Sequence, residues 1–469
     1  MLLLFVSSLL KMGFVLVVIA TYAPVLLWAE RRQSAMIQDR IGPVRGGFPL
    51  PPKLAALIRG PVATGAFLVA AALAGVATLA SIGSSCASFG IYLPFVAPNG
   101  AATEFPWMTA RALDWVAVAA LLLAGAHFVA GHVTRGADDK NDVLTAYGLI
   151  HPLADVIKLF WKEDFVPPRA DKILFHLAPI IAMMPVFAVG AVIPFGPDLY
   201  WGPEGDSFVN LFSVVTAADV EAGTRIVPLQ VARINVGVLF MFAIAGTGIV
   251  GAALAGYSSD NKYSLLGGLR AASQMVSYEV TLGLTLVGCF MVYGTLLLDE
   301  MVTWQQEHVW GFLVQPLALV LFFFASIAEM KRVPFDAPEG ESEIVAGYFL
   351  EYSGFKVGMF MGGEFMEHVT SSALIVTLFF GGYDVPFLEA DGFHFGDTHV
   401  AMWHVAVVAL GVVAFLVKVA LSCFLQLQVR WTLPRFRYDQ TMQLCWKIIL
   451  PLSLLNIFVT GLVILLLQT

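Results

Sequence analysis

Charge is what this sequence most lacks. Only 13% of its 469 residues are Asp, Glu, Lys or Arg, against 58% hydrophobic residues and a mean hydropathy of +0.80. A soluble core of that length cannot bury so much apolar surface, so the bilayer is its solvent. The formal net charge is −8 and no Lys/Arg-rich stripe occurs, which excludes nucleic acid as a partner. Cysteine is scarce too. Cys86, Cys289, Cys423 and Cys445 are scattered, with no CxxC pair and no ferredoxin-like spacing, so neither a disulfide nor an iron-sulfur cluster is indicated. Strand-length alternation of the barrel kind is missing, which leaves helices as the spanning element. The first 30 residues carry no basic leading region and no small-residue cleavage site, and they end in Glu30-Arg31-Arg32. They read as a first membrane helix and not as a removed signal.

Apolar runs of roughly spanning length, about 20 residues for a helix, lie near 3–29, 60–83, 112–133, 172–194, 234–256, 271–294, 312–329, 358–382, 401–424 and 447–467. The expected fold class is therefore an all-α integral membrane protein of about ten transmembrane helices, forming one membrane domain over 1–469. Charge checks that count. With the N-terminus outside, the cytoplasmic face receives 21 of the 26 basic residues. The opposite face keeps Lys11, Arg111, Arg225 and Arg233, while Lys418 falls inside the ninth run. Both termini are then expected on the outer side. In His151–Glu163 the apolar residues Leu153, Val156, Ile157, Phe160 and Trp161 recur at helical spacing, with Asp155, Lys158 and Lys162 on another face. This segment is expected to be an amphipathic helix at the cytoplasmic membrane surface, either a plain interfacial anchor or a functional element.

Carboxylates inside a bilayer are costly, so each calls for pairing, a water-filled cavity or a proton path. Glu279 lies within the run 271–294, Glu329 closes the next, and Glu364 and Glu367 lie three residues apart within the following one. Two buried carboxylates cannot easily both stay ionised, and one that keeps its proton can relay it. Singly, each of these acids is better read as an interhelical hydrogen-bonding group or as a carboxylate in headgroup-level water; as a set they point to proton transfer. The densest cluster places Glu329, Asp336, Glu339, Glu341, Glu343 and Glu351 in or beside one cytoplasmic loop. Pro334, Pro338 and Gly340 give that loop a defined course, and Phe335, Ile344, Val345, Tyr348 and Phe349 supply apolar faces, so it is expected to pack against something. The pairs His127/His132 and His399/His404 are spaced by five, on different helix faces, which disfavours haem ligation. No metal site and no nucleotide fingerprint is evident, so any redox role requires a partner that brings the electrons.

The motifs are specific enough to name a family. Glu30-Arg-Arg-Gln-Ser-Ala-Met-Ile-Gln-Asp-Arg-Ile-Gly-Pro43 and Gly148-Leu-Ile-His-Pro-Leu-Ala-Asp-Val-Ile-Lys-Leu-Phe-Trp-Lys-Glu-Asp164 resemble the first blocks of the NuoH family, the quinone-site membrane subunits of proton-pumping NADH:quinone oxidoreductase (respiratory complex I). Later blocks match as well: Lys262–Glu279, the acidic loop with Glu351-Tyr-Ser-Gly354, and Arg430-Trp-Thr-Leu-Pro-Arg-Phe-Arg-Tyr-Asp439. The resemblance covers almost the whole chain in order, apart from roughly 48–146.

The resemblance implies a subunit that shapes the quinone-reduction chamber with other membrane and soluble subunits of the complex and begins the proton path. It supplies no catalytic residue and no redox centre; quinone is substrate, and NADH, FMN and iron-sulfur clusters belong to partners. On this reading Glu30, Glu279, Glu329, Asp336, Glu339, Glu341, Glu343, Glu351 and Glu364 are the acids of the chamber and proton path. Arg31, Arg40, Arg45, His151 and Asp155 lie at the quinone entrance. The implied location is the bacterial inner membrane. The family usually has eight helices, so 48–146 reads as an insertion carrying two extra ones, 60–83 and 112–133, for peripheral packing or a lineage-specific partner. Val44, His151 and Met330-Lys331 depart from the residues common in the family, the last two near the chamber that the resemblance implies. Two rivals are a membrane anchor of an energy-converting hydrogenase and a secondary transporter. The latter would call for paired interrupted helices and an inverted repeat, neither of which the sequence displays.

Overall fold

The computed structural model describes residues 2–39, 48–49, 143–144, 150–201, 225–340, 344–389, 392–395 and 398–468. Arg40, Arg45, Glu341, Glu343, Cys86 and the expected helices 60–83 and 112–133 lie outside them. The chain divides into two compact units, Met1–Glu30 with Val156–Thr469, and Arg31–Asp155.

The larger unit is a bundle of long apolar helices. Its elements are α1 (Leu2–Ile37, which runs on past the unit), α3 (Lys172–Gly190), α4 (Gly237–Ala245), α5 (Thr247–Ser258), α6 (Lys262–Tyr293), α7 (Leu298–Glu307), α8 (Gly311–Val314), α9 (Pro316–Glu329), α10 (Gly354–Phe379), α11 (His404–Thr432), α12 (Tyr438–Gln443) and α13 (Leu450–Gln468). Six helices among the described residues are long and apolar enough to cross a membrane, taking α4–α5 and α12–α13 each as one. The remaining two candidates are α9, which is shorter, and α10, which carries Lys356, Glu364 and Glu367. The protein is thus all-α and multi-pass.

Helix starts follow local chemistry. The Asp171 side chain accepts from the amides of Ile173 and Leu174 at the head of α3, and Asn261 accepts from the Tyr263 amide at the head of α6. Two spans read as single runs are interrupted. α4 gives way to α5 at Gly246, and α8 to α9 at Gln315, whose non-helical backbone (ψ 57°) precedes Pro316. Proline disfavours a helical predecessor, which accounts for the second break. At the first, the Glu279 carboxylate closes on Gly246: a Cβ built there would lie 2.9 Å from Oε1. Such breaks are tolerated at membrane depth because neighbouring polar groups satisfy the backbone.

Between lipid-facing helices there is no hydrophobic driving force, so packing and interhelical hydrogen bonds hold the bundle. Gln274 on α6 donates to the carbonyls of Ala328 and Phe335, each at 2.7 Å, which ties α6 to the end of α9 and to the following loop. Tyr278 donates to the Thr441 carbonyl at 2.9 Å, and Ser264 to the Tyr348 carbonyl at 3.0 Å. The acidic loop folds inward as its apolar residues require: Phe335, Ile344 and Tyr348 are buried, while Val345 is exposed. Cys289, Cys423 and Cys445 are buried free thiols. The connections add short strands that the helical reading had not included, β3 (Leu199–Trp201) with β4 (Arg225–Val227), and β5 (Leu388–Glu389), β6 (Gly392–Phe395) and β7 (Thr398–Ala401).

In the smaller unit, β1 (Phe48–Pro49) pairs antiparallel with β2 (Val143–Leu144), Phe48 opposite Leu144. The expected insertion 48–146 therefore leaves and rejoins the chain at adjacent points. The amphipathic segment forms α2 (Ile150–Trp161), and Leu153, Val156, Ile157, Phe160 and Trp161 are all exposed. That continuous apolar face requires a non-aqueous cover.

Candidate functional site: a buried carboxylate chain

The site begins where α9 ends. Its last residue, Glu329, is followed by a turn in which Lys331 takes a left-handed conformation, φ 57°, and the chain folds back beneath the bundle. That turn carries Lys331 and Arg332 inward until each is only 8% exposed. Buried cations need partners, and both have them. Arg332 pairs with Glu30 of α1 at 2.9 Å, and its guanidinium lies 4.0 Å from the Phe365 ring centroid. Arg430, in the last turn of α11, holds the other oxygen of Glu30 at 2.6 Å. Lys331 reaches the Tyr348 hydroxyl at 3.2 Å and lies 3.9 Å from Glu364 of α10. Tyr348 in turn donates to Glu364 at 3.0 Å.

Further along the loop, Asp336 pairs with Arg435. Burial raises the Asp336 carboxyl above its ordinary range, a tendency that the Arg435 guanidinium opposes. Burial, reinforced by the Glu364 carboxyl beside it, pushes Glu339 well above the usual carboxylate range. Burial likewise holds the Tyr348 phenol well above its ordinary value, with Glu364 and Glu339 adding to the effect, so Tyr348 remains a donor.

Glu364, Glu367 and Glu329 line one cavity of about 80 Å³ together with Lys331, Tyr348 and Ser326. Its other walls are apolar side chains such as Pro185, Met275 and Phe322. A water molecule needs roughly 10–15 Å³ and a few polar partners, so this space suits several. Electrostatic influence links the acids in order: Asp336 acts on Glu339, Glu339 with Glu364, Glu364 on Glu367, and both Glu367 and Glu279 on Glu329. The result is a run of mutually interacting carboxylates leading from the loop to Glu279, which rests against the α4–α5 break.

Six of the acids singled out from sequence, Glu30, Glu279, Glu329, Asp336, Glu339 and Glu364, thus fall in this one assembly. Glu351 stands apart, accepting from Asn261 at 2.6 Å at the head of α6. In the smaller unit Arg31 pairs with Asp155 at 2.6 Å, both residues being partly exposed. His151 is half-buried on α2. No site role is expected from the sequence for Lys331, Arg332, Arg430 or Arg435, although Lys331 stands out as a departure from the family and Arg430 and Arg435 lie in a family motif. Their apolar surroundings, Ala328, Met330, Val333 and Phe335, were the available signal.

The family described as NADH dehydrogenase matches residues 140–461 of this chain. The chain belongs to the NADH dehydrogenase family. Among relatives in that family, an NADH-quinone oxidoreductase H subunit of Cytophaga hutchinsonii is 42% identical over 320 residues, covering 68% of this chain and 85% of that protein. The NADH-quinone oxidoreductase H subunit of Thermomicrobium roseum is 43% identical over 326 residues, 68% of this chain and 83% of that one. An NADH-quinone oxidoreductase H subunit of Geobacter metallireducens is 42% identical over 318 residues, 68% of this chain and 83% of that one. As a member of the NADH dehydrogenase family, the chain is a membrane subunit of an oxidoreductase complex, and its match spans every residue of the carboxylate chain except Glu30.

Proposed function

We propose that this chain helps to form the quinone-reduction chamber of a proton-pumping NADH:quinone oxidoreductase and carries the first part of its proton path. The observation that supports this most is the run of buried carboxylates in which Glu364, Glu367 and Glu329 line one cavity, with Asp336 and Glu339 toward the loop and Glu279 beyond Glu329. Quinone reduction consumes two protons and creates negative charge beside that run. Carboxyls that retain protons respond to such charge by passing them inward.

The chemistry at the quinone uses electrons delivered by partner subunits, which on this reading hold the flavin and iron-sulfur clusters. Family resemblance extends the assignment to Glu341, Glu343 and Glu351 in the acidic segment. On this reading Arg31, Arg40, Arg45, His151 and Asp155 lie at the quinone entrance, with the exposed apolar face of α2 toward lipid or the quinone tail. The bacterial inner membrane, both termini on the outer side, and two extra helices within 48–146 complete the proposal. An even number of added helices leaves the downstream faces unchanged. A hydrogenase anchor is disfavoured, since the relatives named above are all quinone oxidoreductase subunits.

Glu364→Gln tests the reading, because it keeps shape and hydrogen bonding but removes the transferable proton. In membranes where the complex assembles, NADH:quinone turnover and proton pumping both fall about a hundred-fold, the lower range for a positioned proton-transfer group. Wild-type turnover and pumping in the assembled variant would return Glu364 to plain interhelical hydrogen bonding.

A further inference from the structure

Among the described residues, Lys331 is the one cationic side chain that lines the carboxylate cavity. A lysine two positions past the end of a membrane helix ordinarily extends its ammonium toward headgroup-level water. Here it turns inward and is only 8% exposed. Its backbone is left-handed, φ 57°, a conformation that a long side chain keeps only where its surroundings impose it. The ammonium faces one particular carboxyl oxygen. Glu364 Oε1 accepts from the Tyr348 hydroxyl at 3.0 Å and lies 3.9 Å from Lys331 Nζ. Lys331 itself donates to that hydroxyl at 3.2 Å, so the amine, the phenol and the carboxyl form one chain of contacts.

The titratable groups around this pair come from three stretches of chain. Glu329 ends α9, Asp336, Glu339 and Tyr348 follow in the loop, and Glu364 and Glu367 lie on α10. α3, α4, α5 and α6 bring only uncharged residues to the lining, such as Pro185, Met241, Ala252 and Met275. Lys331 acts electrostatically on Glu329, Glu339 and Glu367 as well. Arg332 also acts on Glu367, but its guanidinium pairs with Glu30, and Arg435 holds Asp336. Lys331 therefore stands among four carboxyls and can neutralise one of them. A buried carboxylate is favoured by a cation close by and by donors directed at its ionised form. Glu364 receives both. Further ionised carboxylates in the same cavity would be left unpaired, which burial penalises.

We propose that Lys331 is a positioning residue for proton uptake: its ammonium holds Glu364 as the ionised member of the cavity, the vacancy that an incoming proton fills, and so sets the pH range over which the carboxylate chain conducts. When a proton arrives, the Glu364 carboxylate becomes a neutral carboxyl and Lys331 is left without its counter-charge. That uncompensated ammonium favours passage of the proton to the next acid and return of Glu364 to its ionised form. This role rests on the proton-path reading given above.

The test uses the assembled complex in its membranes, with Glu364→Gln prepared alongside. Lys331→Asn removes the ammonium and keeps a side chain that tolerates the left-handed backbone. Without the facing cation, ionising Glu364 requires a higher pH. The profile of proton pumping against pH is expected to move toward alkaline pH by about one to three units, the usual effect of an opposite charge at this distance. A variant that merely loosened the packing would lose pumping equally at every pH. Redox-induced infrared difference spectra of wild type and Glu364→Gln give a second readout: reduction of quinone is expected to produce a protonated-carboxyl band in the wild type that is missing from Glu364→Gln. An unshifted profile in Lys331→Asn, or a Glu364-dependent carboxyl band that is lost on reduction instead of gained, would overturn the role. If Lys331→Asn does not assemble, the infrared comparison decides alone. A pumping defect in Glu364→Gln with an unshifted Lys331→Asn profile sinks this inference alone, whereas normal pumping in Glu364→Gln sinks the proton-path reading beneath it.

Discussion

Glu30 and Arg332 stand 302 residues apart in sequence, and their charged groups meet at 2.9 Å. The pair brings the ends of α1 and α9 to the same side of the bundle, and Arg430 adds the end of α11. Two cations around one carboxylate balance a cluster that burial would otherwise make untenable.

Glu30→Gln leaves Arg332 as a buried charge without its counter-ion. Breaking a buried pair by removing one partner costs about 3–5 kcal/mol. Native gels and thermal melts of the solubilised complex are expected to show reduced assembly or a clearly lowered melting temperature.

Tyr348→Phe removes one hydroxyl that Lys331 and Glu364 share. Hydrogen bonds to charged groups contribute about 1.5–3 kcal/mol, and the ring packing against Phe360 is kept. A stability loss in that range, with turnover reduced while the complex assembles, is the expected outcome. Unchanged melting and turnover would remove Tyr348 from the site.

Gly267 on α6 supports the loop that carries Tyr348. A Cβ there would lie 2.6 Å from Gly347 Cα and 2.7 Å from the Tyr348 amide nitrogen, both backbone atoms that cannot step aside cheaply. Gly267→Ala is expected to cost about 1–3 kcal/mol and to lower turnover by shifting Tyr348. Gly283→Ala on the same helix meets nothing within 4 Å and serves as the neutral control. Equal behaviour of the two in melts and turnover would contradict the packing argument.

Asp198 lies in the connection after α3, where burial first and Asp299 second raise its carboxyl from 3.8 to about 6. Between those values the folded protein retains a proton that the unfolded chain has released. Stability from this group is therefore full below about pH 4, and it is lost as pH rises through about 6. Asp198→Asn is expected to flatten the melting temperature across that window. A slope identical to the wild type would refute the assignment.

Much of this was legible in one dimension. Apolar runs located the described spanning helices because bilayer thickness sets their length, and period marked α2 because an interfacial helix must segregate its faces. The acids were visible as anomalies, since a carboxylate within an apolar run is costly without a reason. Partners were not visible. Lys331 and Arg332 looked like ordinary loop cations, and only the inward turn after α9 revealed them as buried counter-charges. The breaks at Gly246 and Gln315 were equally hidden, because an apolar run reads the same whether or not the helix within it is continuous.

By itself, then, the sequence determined a multi-pass helical membrane protein of the NADH dehydrogenase family, because hydropathy and local motifs are properties of neighbouring residues. Tertiary structure alone decided which acids interact, that Glu351 stands apart at the head of α6, and that His368 faces Gln426 and Arg332. The reason is physical. A buried charge is tolerable only beside particular partners, and in this bundle those partners come from helix ends hundreds of residues apart, brought together by interhelical packing.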